Sequence, residues 1–570
     1  MATTAQFRHA LRVGPPGDSW HKPALSAVLT LGTLNLTLLA LGRLDLALYT
    51  SAGGLGALYG HGLPYRARAR TLASVLLGTV LSTAAALTAA ALTRDAVVLV
   101  AVAAGLAALH RLGCDAARVG PPGSLIITFT TASCAFVPQR PADLPPHLAL
   151  TVLGAALAWL VCMAPALLRP YGPERIATAC ALEAAARLAR TGPDGSDPAA
   201  RTALVGAVDA ARQSLALSSP ARRRALGDAP ERLLVHAEAA LAALAAPTTR
   251  GPDPAAGVAP AAAPAAAPPA ASAAAERYAG WARDLRRGRP LPLLDLTGAE
   301  AAELRAHRPE PRPSLRRALR PGSALLPIVL RVAVGCAAAG WLSLALGVGR
   351  PYWAVVTAAS VFQANSTLSW QRALQRVLGN LIGLALFTAA LPVAHSGPVA
   401  LIALGLLCQF GAEATIARSY WLATVFVTPM ALMMTEFAGR QPAATLVADR
   451  WLDTCVGALT GLAACLLVTN RRTATRLSHA LAGAETATRQ ARAAVAATET
   501  SGVETSGVEA AAARTGLAAA LLELREAAAT ATGEWRRPAL PHQRAADTEQ
   551  HAHHLLATLL ERRGAGARAV

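Results

Sequence analysis

Long runs of apolar residues separated by short polar segments dominate the pattern of this chain. Six runs lie in the first part, at residues 24–41, 44–59, 72–92, 96–109, 125–137 and 148–168. Six more lie in the second part, at residues 324–346, 352–363, 377–391, 399–410, 421–434 and 452–469. Such runs are longer than the periodic stripes of a soluble core, so the pattern predicts an all-α, polytopic membrane protein.

Several of these runs are shorter than the roughly 17 to 25 residues that a straight helix needs to cross the bilayer. We expect the shorter runs to be extended by flanking polar turns, or to form broken helices inside the bundle, where neighbouring protein satisfies irregular backbone. The first run is too long for the apolar part of a signal peptide and more runs follow it. It is therefore expected to be a retained helix.

Basic residues concentrate in alternate loops between the runs. On one side of the predicted bundle, the first part places Arg8, Arg12, Lys22, Arg66, Arg68, Arg70, Arg111, Arg118, Arg169 and Arg175. The intervening turns of that part hold only Arg43, Arg94 and Arg140. Because basic loops stay in the cytoplasm, we expect a multi-pass protein of the cytoplasmic (inner) membrane with both termini cytoplasmic.

An arginine spacing occurs at corresponding places in the two parts. Arg66 and Arg70 follow the second run, and Arg372 and Arg376 follow the eighth, and the members of each pair are four positions apart. Each part has an even number of runs and begins on the same side. The two parts are therefore predicted to be parallel repeats of about six transmembrane helices, related by an axis along the membrane normal.

Hydrophilic segments flank the predicted repeats. The predicted order is a cytoplasmic N-terminal segment at 1–23, a first transmembrane repeat at 24–168, a cytoplasmic helical region at 169–320, a second transmembrane repeat at 321–469 and a cytoplasmic C-terminal helical region at 470–570. In the middle region, Leu234 and Leu241 lie on one helical face by their spacing. Residues 247–275 are almost wholly Ala and Pro, which predicts an extended, flexible linker.

Composition and charge agree with a membrane protein. Hydrophobic residues make up 54% of the chain and charged residues 15%, and the mean hydropathy is +0.38, all outside the norm for soluble proteins. The formal net charge of +19 is spread over the segments between apolar runs. We attribute it to membrane topology and expect no nucleic-acid partner.

Several classes of chemistry lack the residues that they need. Lys22 is the one lysine and lies outside any glycine-rich loop, so no Walker A motif exists and ATP-driven transport by this chain alone is not expected. The eight cysteines form no CxxC pair, and His551, His553 and His554 have no suitable ligand partners nearby in sequence. We expect no enzyme activity, no cofactor and no metal.

Motifs of the second part resemble a known family. They are Arg350-Pro351-Tyr352-Trp353, a Thr/Ser-bearing span that ends near Asn365, Arg372-x3-Arg376-x2-Gly379-x3-Gly383, Ser419-Tyr420-Trp421 running to Val427-Thr428-Pro429, and Arg450-x2-Asp453-Thr454-x2-Gly457. This pattern resembles the fusaric acid resistance family, also called the aromatic acid exporter family. The resemblance implies an exporter of aromatic carboxylic acids and related compounds in the cytoplasmic membrane.

Four arginines are candidates for an anion-binding vestibule at the cytoplasmic mouth: Arg66, Arg70, Arg372 and Arg376. The members of each pair share one helix face, and a pseudo-twofold axis would place the two pairs opposite each other. Guanidinium groups bind carboxylates with two hydrogen bonds. The alternative is that these arginines only anchor the topology, with their charged heads at the membrane surface.

Trp353 and Asn365 are further candidates for substrate binding. The indole could stack on an aromatic substrate, and the alternative is an interfacial aromatic belt. Arg450 and Asp453 are three residues apart, so a local ion pair near the outer interface is expected. Were Asp453 instead deep in the bundle, it could carry a coupling proton.

These features predict a secondary exporter of small organic anions in a lipid bilayer, linked to protons if the family resemblance extends that far. A homo-oligomer stays open. One rival hypothesis is an anion channel of related architecture, whose flux would follow the voltage alone. Another is a non-transporting membrane scaffold whose soluble helices bind a partner protein.

Overall fold

The structure is a computed structural model. It describes residues 10–14, 20–190, 198–218, 229–242, 269–290, 323, 325–467, 472–501, 505–534 and 542–566. Within these residues the chain is helical and contains no β-strand. Eight of the described helices are long and apolar enough to cross a membrane. The prediction of an all-α, polytopic membrane protein is confirmed.

In the first part of the membrane bundle, the second and fifth helices are short and the other four are long. Its helices are α1 (His21–Ala40), α2 (Ala47–Gly54), α3 (Tyr65–Leu92), α4 (Ala96–Ala116), α5 (Leu125–Ala135) and α6 (Leu144–Met163). Helix α2 has only 8 residues, extended by 3-10 turns on both sides, and α5 has only 11. The middle region follows, with α7 (Gly172–Arg190), α8 (Pro198–Leu217), α9 (Ala229–Ala242) and α10 (Pro269–Arg287).

The second part of the bundle repeats that order of long and short helices. Its helices are α11 (Leu326–Ala345), α12 (Tyr352–Val361), α13 (Ser366–Ala394), α14 (Pro398–Ile416), α15 (Tyr420–Glu436) and α16 (Ala443–Leu467). The C-terminal region adds α17 (Arg472–Ser501), α18 (Thr505–Thr532) and α19 (His542–Gly566). In the described part of the chain, α2, α5, α12 and α15 fall outside the eight candidate spans.

Arginine side chains cover the carbonyl groups where two of the short helices end. After α2, Arg68 donates hydrogen bonds to the carbonyls of Gly60 and His61, at 2.9 and 2.6 Å. After α12, Arg111 of α4 donates to the carbonyl of Phe362 at 3.3 Å. Protein groups thus satisfy backbone that a broken helix exposes, which is why short helices are tolerated inside the bundle.

Each of the short helices α2 and α12 packs closely on a long one. A Cβ on Gly154 of α6 would lie 2.1 Å from Thr50 O of α2, and a Cβ on Gly457 of α16 would lie 2.5 Å from Ala354 O of α12. Glycine is required at both positions because any side chain would collide with the neighbouring backbone.

The two parts of the bundle contact each other in reciprocal pairs. Helix α1 packs on α14, and α11 packs on α4. Gly32 of α1 faces Leu406 of α14, and Gly340 of α11 faces Val100 of α4. The first helix of each part therefore lies against the fourth helix of the other part.

The helices outside the bundle, α7 to α10 and α17 to α19, form one common body, which we call the soluble body. Leu182 of α7, Leu204 of α8 and Leu233 of α9 share a hydrophobic core with Leu517 of α18 and Leu556 of α19. Because residues of the middle and C-terminal regions meet in one core, both regions lie on the same side of the membrane.

The predicted Ala/Pro linker at 247–275 is partly wrong. Residues 247–268 lie outside the described residues, but residues 269–275 form the beginning of α10. Alanine has the highest helix propensity, and proline is accepted at the first position of a helix, where its missing N–H has no partner to lose. Composition alone therefore did not separate linker from helix.

Candidate anion-binding site

Arg450 of α16 is buried in the second part of the bundle and forms no salt bridge among the described residues. Its side chain is 1% exposed, and its guanidinium carbon lies 4.9 Å from the centre of the Trp353 ring. The Nε and Nη1 groups have no hydrogen-bond partner. Burial of a guanidinium whose N–H groups lack hydrogen-bond acceptors is costly. The two free donors are therefore available to an anion.

Trp353 does not lie in an interfacial belt. Its side chain is 1% exposed and is buried between two arginines, with the guanidinium of Arg350 at 5.6 Å and that of Arg450 on α16. Arg350 is held by Asp449 at 3.5 Å. The indole is the most electron-rich aromatic ring among side chains, which suits it to contact with cations. The alternative of a membrane-surface anchor for Trp353 is thus wrong.

Asp453 lies inside the bundle, and the predicted ion pair with Arg450 is not formed. The carboxyl group is 0% exposed, its Oδ1 accepts a hydrogen bond from Ser343 Oγ of α11, and its Oδ2 has no partner. The two residues reach different neighbours, because Arg450 extends to α12 and Asp453 extends to α11. Adjacent positions on one helix face permit a pair but do not enforce it.

Arg372 and Arg376 meet at one aromatic ring. Arg376 is 4% exposed and donates from Nη1 to Tyr420 Oη at 3.0 Å, while its Nε has no partner. The Arg372 guanidinium lies 3.9 Å from the centre of the same ring and donates to Gln363 Oε1 at 3.4 Å. Helical spacing explains this convergence, since positions four apart share a face.

Arg66 and Arg70 have exposed side chains, and the buried arginine of that segment is Arg68 between them. The structure therefore brings together only the pair on α13. The spacing of Arg66 and Arg70 did not indicate which arginine is buried. Arg68 lies two positions from each of them and therefore on a different face of the helix. No contact ties Arg66 or Arg70 to Arg376 among the described side-chain interactions.

Asn365 caps a helix and docks the soluble body. Its Oδ1 accepts from Leu368 N at 2.8 Å at the start of α13, and its Nδ2 donates to Ala529 O of α18 at 3.4 Å. Thr367 N donates to Gly533 O at 3.0 Å beside it. Both polar atoms of the Asn365 amide form hydrogen bonds within the protein. The geometry therefore indicates a structural role for Asn365 and gives no support for substrate binding by it.

A hydrogen-bonded group in the middle of the bundle escaped the sequence reasoning. Asn380 of α13 donates from Nδ2 to Thr454 Oγ1 of α16 at 2.8 Å and accepts at Oδ1 from Thr428 Oγ1 of α15 at 2.9 Å. All three side chains are buried. A signal existed, because an asparagine inside an apolar run must find partners within the protein.

The comparisons with known proteins match the part of the chain that contains the candidate site. Residues 336–464 match the family model described as fusaric acid resistance protein-like. An uncharacterized membrane protein, YvaC of Bacillus subtilis (strain 168), is 33% identical over 166 residues, which are 29% of this chain and 26% of that protein. The matched region thus spans about a quarter of the relative's length. No solved structure matches the chain.

The matched segment contains the arginines, the tryptophan and the buried carboxyl described above. The resemblance predicted from the Arg, Gly and aromatic motifs is confirmed: residues 336–464 form a fusaric acid resistance protein-like region in a polytopic membrane protein.

Proposed function

We propose that the protein is a secondary transporter that exports small organic anions, such as aromatic carboxylic acids, across the cytoplasmic membrane. The observation that carries the proposal is the buried guanidinium of Arg450, whose Nε and Nη1 have no partner beside the Trp353 ring. A carboxylate oxygen is an acceptor for either of these charged N–H groups. An aromatic substrate would add a ring next to Trp353. Family membership of residues 336–464 supports a transport role.

Proton linkage is supported by Asp453. Its buried carboxyl follows Arg450 by less than one helical turn, and Oδ2 is free of hydrogen bonds. An anion that binds to Arg450 brings a second negative charge close to Asp453. A proton on Asp453 would remove the repulsion, so anion binding and proton binding are coupled in this proposal.

The two-repeat arrangement also belongs to the proposal. An axis along the membrane normal that exchanges the two parts would turn the α1–α14 contact into the α11–α4 contact, and both contacts are present. The parallel order of long and short helices supports the same relation. We propose that the arginine-rich loops and the soluble body face the cytoplasm.

Transport by purified protein in proteoliposomes tests this function. With labelled benzoate as the probe and an imposed proton gradient, Arg450→Gln should lower the transport rate roughly tenfold or more, since a charge-assisted hydrogen bond contributes about 1.5–3 kcal/mol. Arg66→Gln, which removes an exposed arginine, should transport like the wild type.

Equal rates for Arg450→Gln and the wild type, with equal insertion of both proteins, would refute the site. A wild-type flux that follows voltage alone and ignores the proton gradient would favour an anion channel. Absence of flux for a broad panel of aromatic and aliphatic carboxylates would favour the scaffold hypothesis.

A further inference from the structure

The second part of the bundle contains two helix pairs that are held by direct backbone contact. In the pair α13–α15, a Cβ on Gly379 would lie 2.4 Å from Trp421 O, and a Cβ on Gly383 would lie 2.8 Å from Val425 O. In the pair α12–α16, Gly457 makes the equally close approach to Ala354 already described. Such contacts leave no room for sliding, so each pair moves as a unit.

The boundary between these pairs, which we call the seam, differs in character. Asn380 crosses it with hydrogen bonds to Thr454 Oγ1 at 2.8 Å and to Arg450 O at 3.5 Å. Its bond from Thr428 stays within the α13–α15 pair. A small apolar cluster that contains Ala373 and Ala458 also bridges the seam. Hydrogen bonds and apolar contacts therefore join the two units across the seam, whereas close backbone contact at glycine joins the helices within each unit.

Charged side chains that each have at least one unpaired polar atom lie on both sides of Asn380 along the seam. Arg376, with its unpaired Nε, is one helical turn before Asn380 on the same face of α13. Arg450, with unpaired Nε and Nη1, and Asp453, with unpaired Oδ2, lie on α16. Nine-tenths or more of each of these side chains is buried. Unpaired charges at such depth mark a route for an ion.

The two arginines lie at different depths along the seam. The beginning of α13, from which Arg376 is reached, contacts the soluble body through Asn365 and Thr367. Helices α13 and α16 are antiparallel, since Ala373 clusters with Ala458 while Asn380 contacts Arg450. Arg450 therefore lies farther from the soluble body than Arg376, with Asn380 between them.

We propose that the anion path runs along this seam and that Asn380 closes it between Arg376 and Arg450. The inference rests on the proposed function and adds where the path lies and which residue gates it. An anion held at Arg376 passes to Arg450 when Asn380 releases Thr454 and the Arg450 carbonyl. Asn380 keeps its bond to Thr428 during this step, because α13 and α15 move together.

Reversible cross-linking with matched cysteine pairs tests the proposal in the full chain. The pair Asn380→Cys with Thr454→Cys spans the seam, and the pair Asn380→Cys with Thr428→Cys joins helices within one unit. A one-carbon bis-methanethiosulfonate reagent links either pair, and a reductant releases the link. Asn380→Cys alone, treated in parallel, reports any effect of the reagent on the eight native thiols. The seam link should lower benzoate transport at least tenfold, with recovery on reduction, and the link within the unit should not.

A second seam pair, Ala373→Cys with Ala458→Cys, leaves Asn380 intact. If Asn380→Cys alone is inactive, this pair replaces it, and its link should lower benzoate transport in the same way. Full transport by a protein whose seam is quantitatively linked would overturn the seam as the path while leaving the proposed function standing. Absence of transport by the untreated wild type would instead contradict the proposed function.

Discussion

At the scale of single residues, arginine shows how one side chain takes three roles in this fold. Arg66 is exposed, Arg68 is buried against backbone carbonyls, and Arg450 is buried without a partner for two of its donors. The guanidinium is always charged and carries five donors in a fixed fork. Its environment therefore decides whether it lies at the surface, stabilises backbone carbonyls or binds an anion. Only the third environment suits a transported anion.

Arg68 offers a test of the bracing role. Its three nitrogens donate to Gly60 O at 2.9 Å, His61 O at 2.6 Å and Cys162 O at 3.3 Å. A lysine keeps the charge but cannot reach these carbonyls from one ammonium group, so Arg68→Lys should lower the unfolding free energy by about 2 kcal/mol.

The measurement is the melting temperature of the purified protein in detergent. Arg66→Lys is the matched control, because it makes the same chemical change at an exposed position two residues away. The bracing role would be disproved by equal melting temperatures for Arg68→Lys and the control.

At the scale of helices, glycine decides which pairs pack backbone to backbone. Gly457 sits where α16 crosses the short helix α12, whereas Gly405 of α14 has open space around the position of a Cβ. Both residues lie inside apolar membrane helices and are equivalent by sequence. Packing alone distinguishes them, because the loss of folding stability on adding a methyl group depends on the atoms that the methyl group contacts.

The two glycines therefore form a matched pair of substitutions. Gly457→Ala would place a methyl group 2.5 Å from Ala354 O and should lower the unfolding free energy by about 1–3 kcal/mol through overpacking. Gly405→Ala should be neutral or slightly stabilising, because alanine is the better helix former. Thermal unfolding in detergent compares them, and similar losses for both would show that the α12–α16 contact is looser than described.

At the scale of the whole molecule, the soluble body contacts the membrane bundle through its C-terminal helices. Helices of the middle and C-terminal regions share one core, and the end of α18 binds the α12–α13 turn through Gly533 O. That turn joins the two helix pairs of the seam, so in the proposed path a displacement of the soluble body would be transmitted to the seam.

Cysteine labelling tests the common side of the two regions. Glu276→Cys on α10 and Gly483→Cys on α17 are exposed positions, and Ser396→Cys lies in the turn between α13 and α14 at the other end of the bundle. A membrane-impermeant maleimide should label the first two from the same side in sealed vesicles and Ser396→Cys from the other. The unsubstituted protein measures labelling of native thiols. Opposite accessibility of Glu276→Cys and Gly483→Cys would contradict the shared core.

Much of the architecture was determined by the sequence itself. Each predicted apolar run falls on a helix, and the resemblance to a known family is confirmed over residues 336–464. Both follow from local information: lipid requires long apolar helices with satisfied backbone, and motif residues keep their spacing along the chain.

Tertiary structure decided the rest. Arg68 is buried, whereas Arg66 and Arg70 are exposed. Arg450 contacts Trp353, and Asp453 accepts a hydrogen bond from Ser343. Asn365 donates a hydrogen bond to the soluble body. Tertiary structure also joined regions more than two hundred residues apart into one core. Spacing along a helix fixes which face a side chain shares, but which neighbour covers that face depends on contacts between distant segments. Burial and partnership, and therefore the chemistry of each charged residue, are set by those contacts.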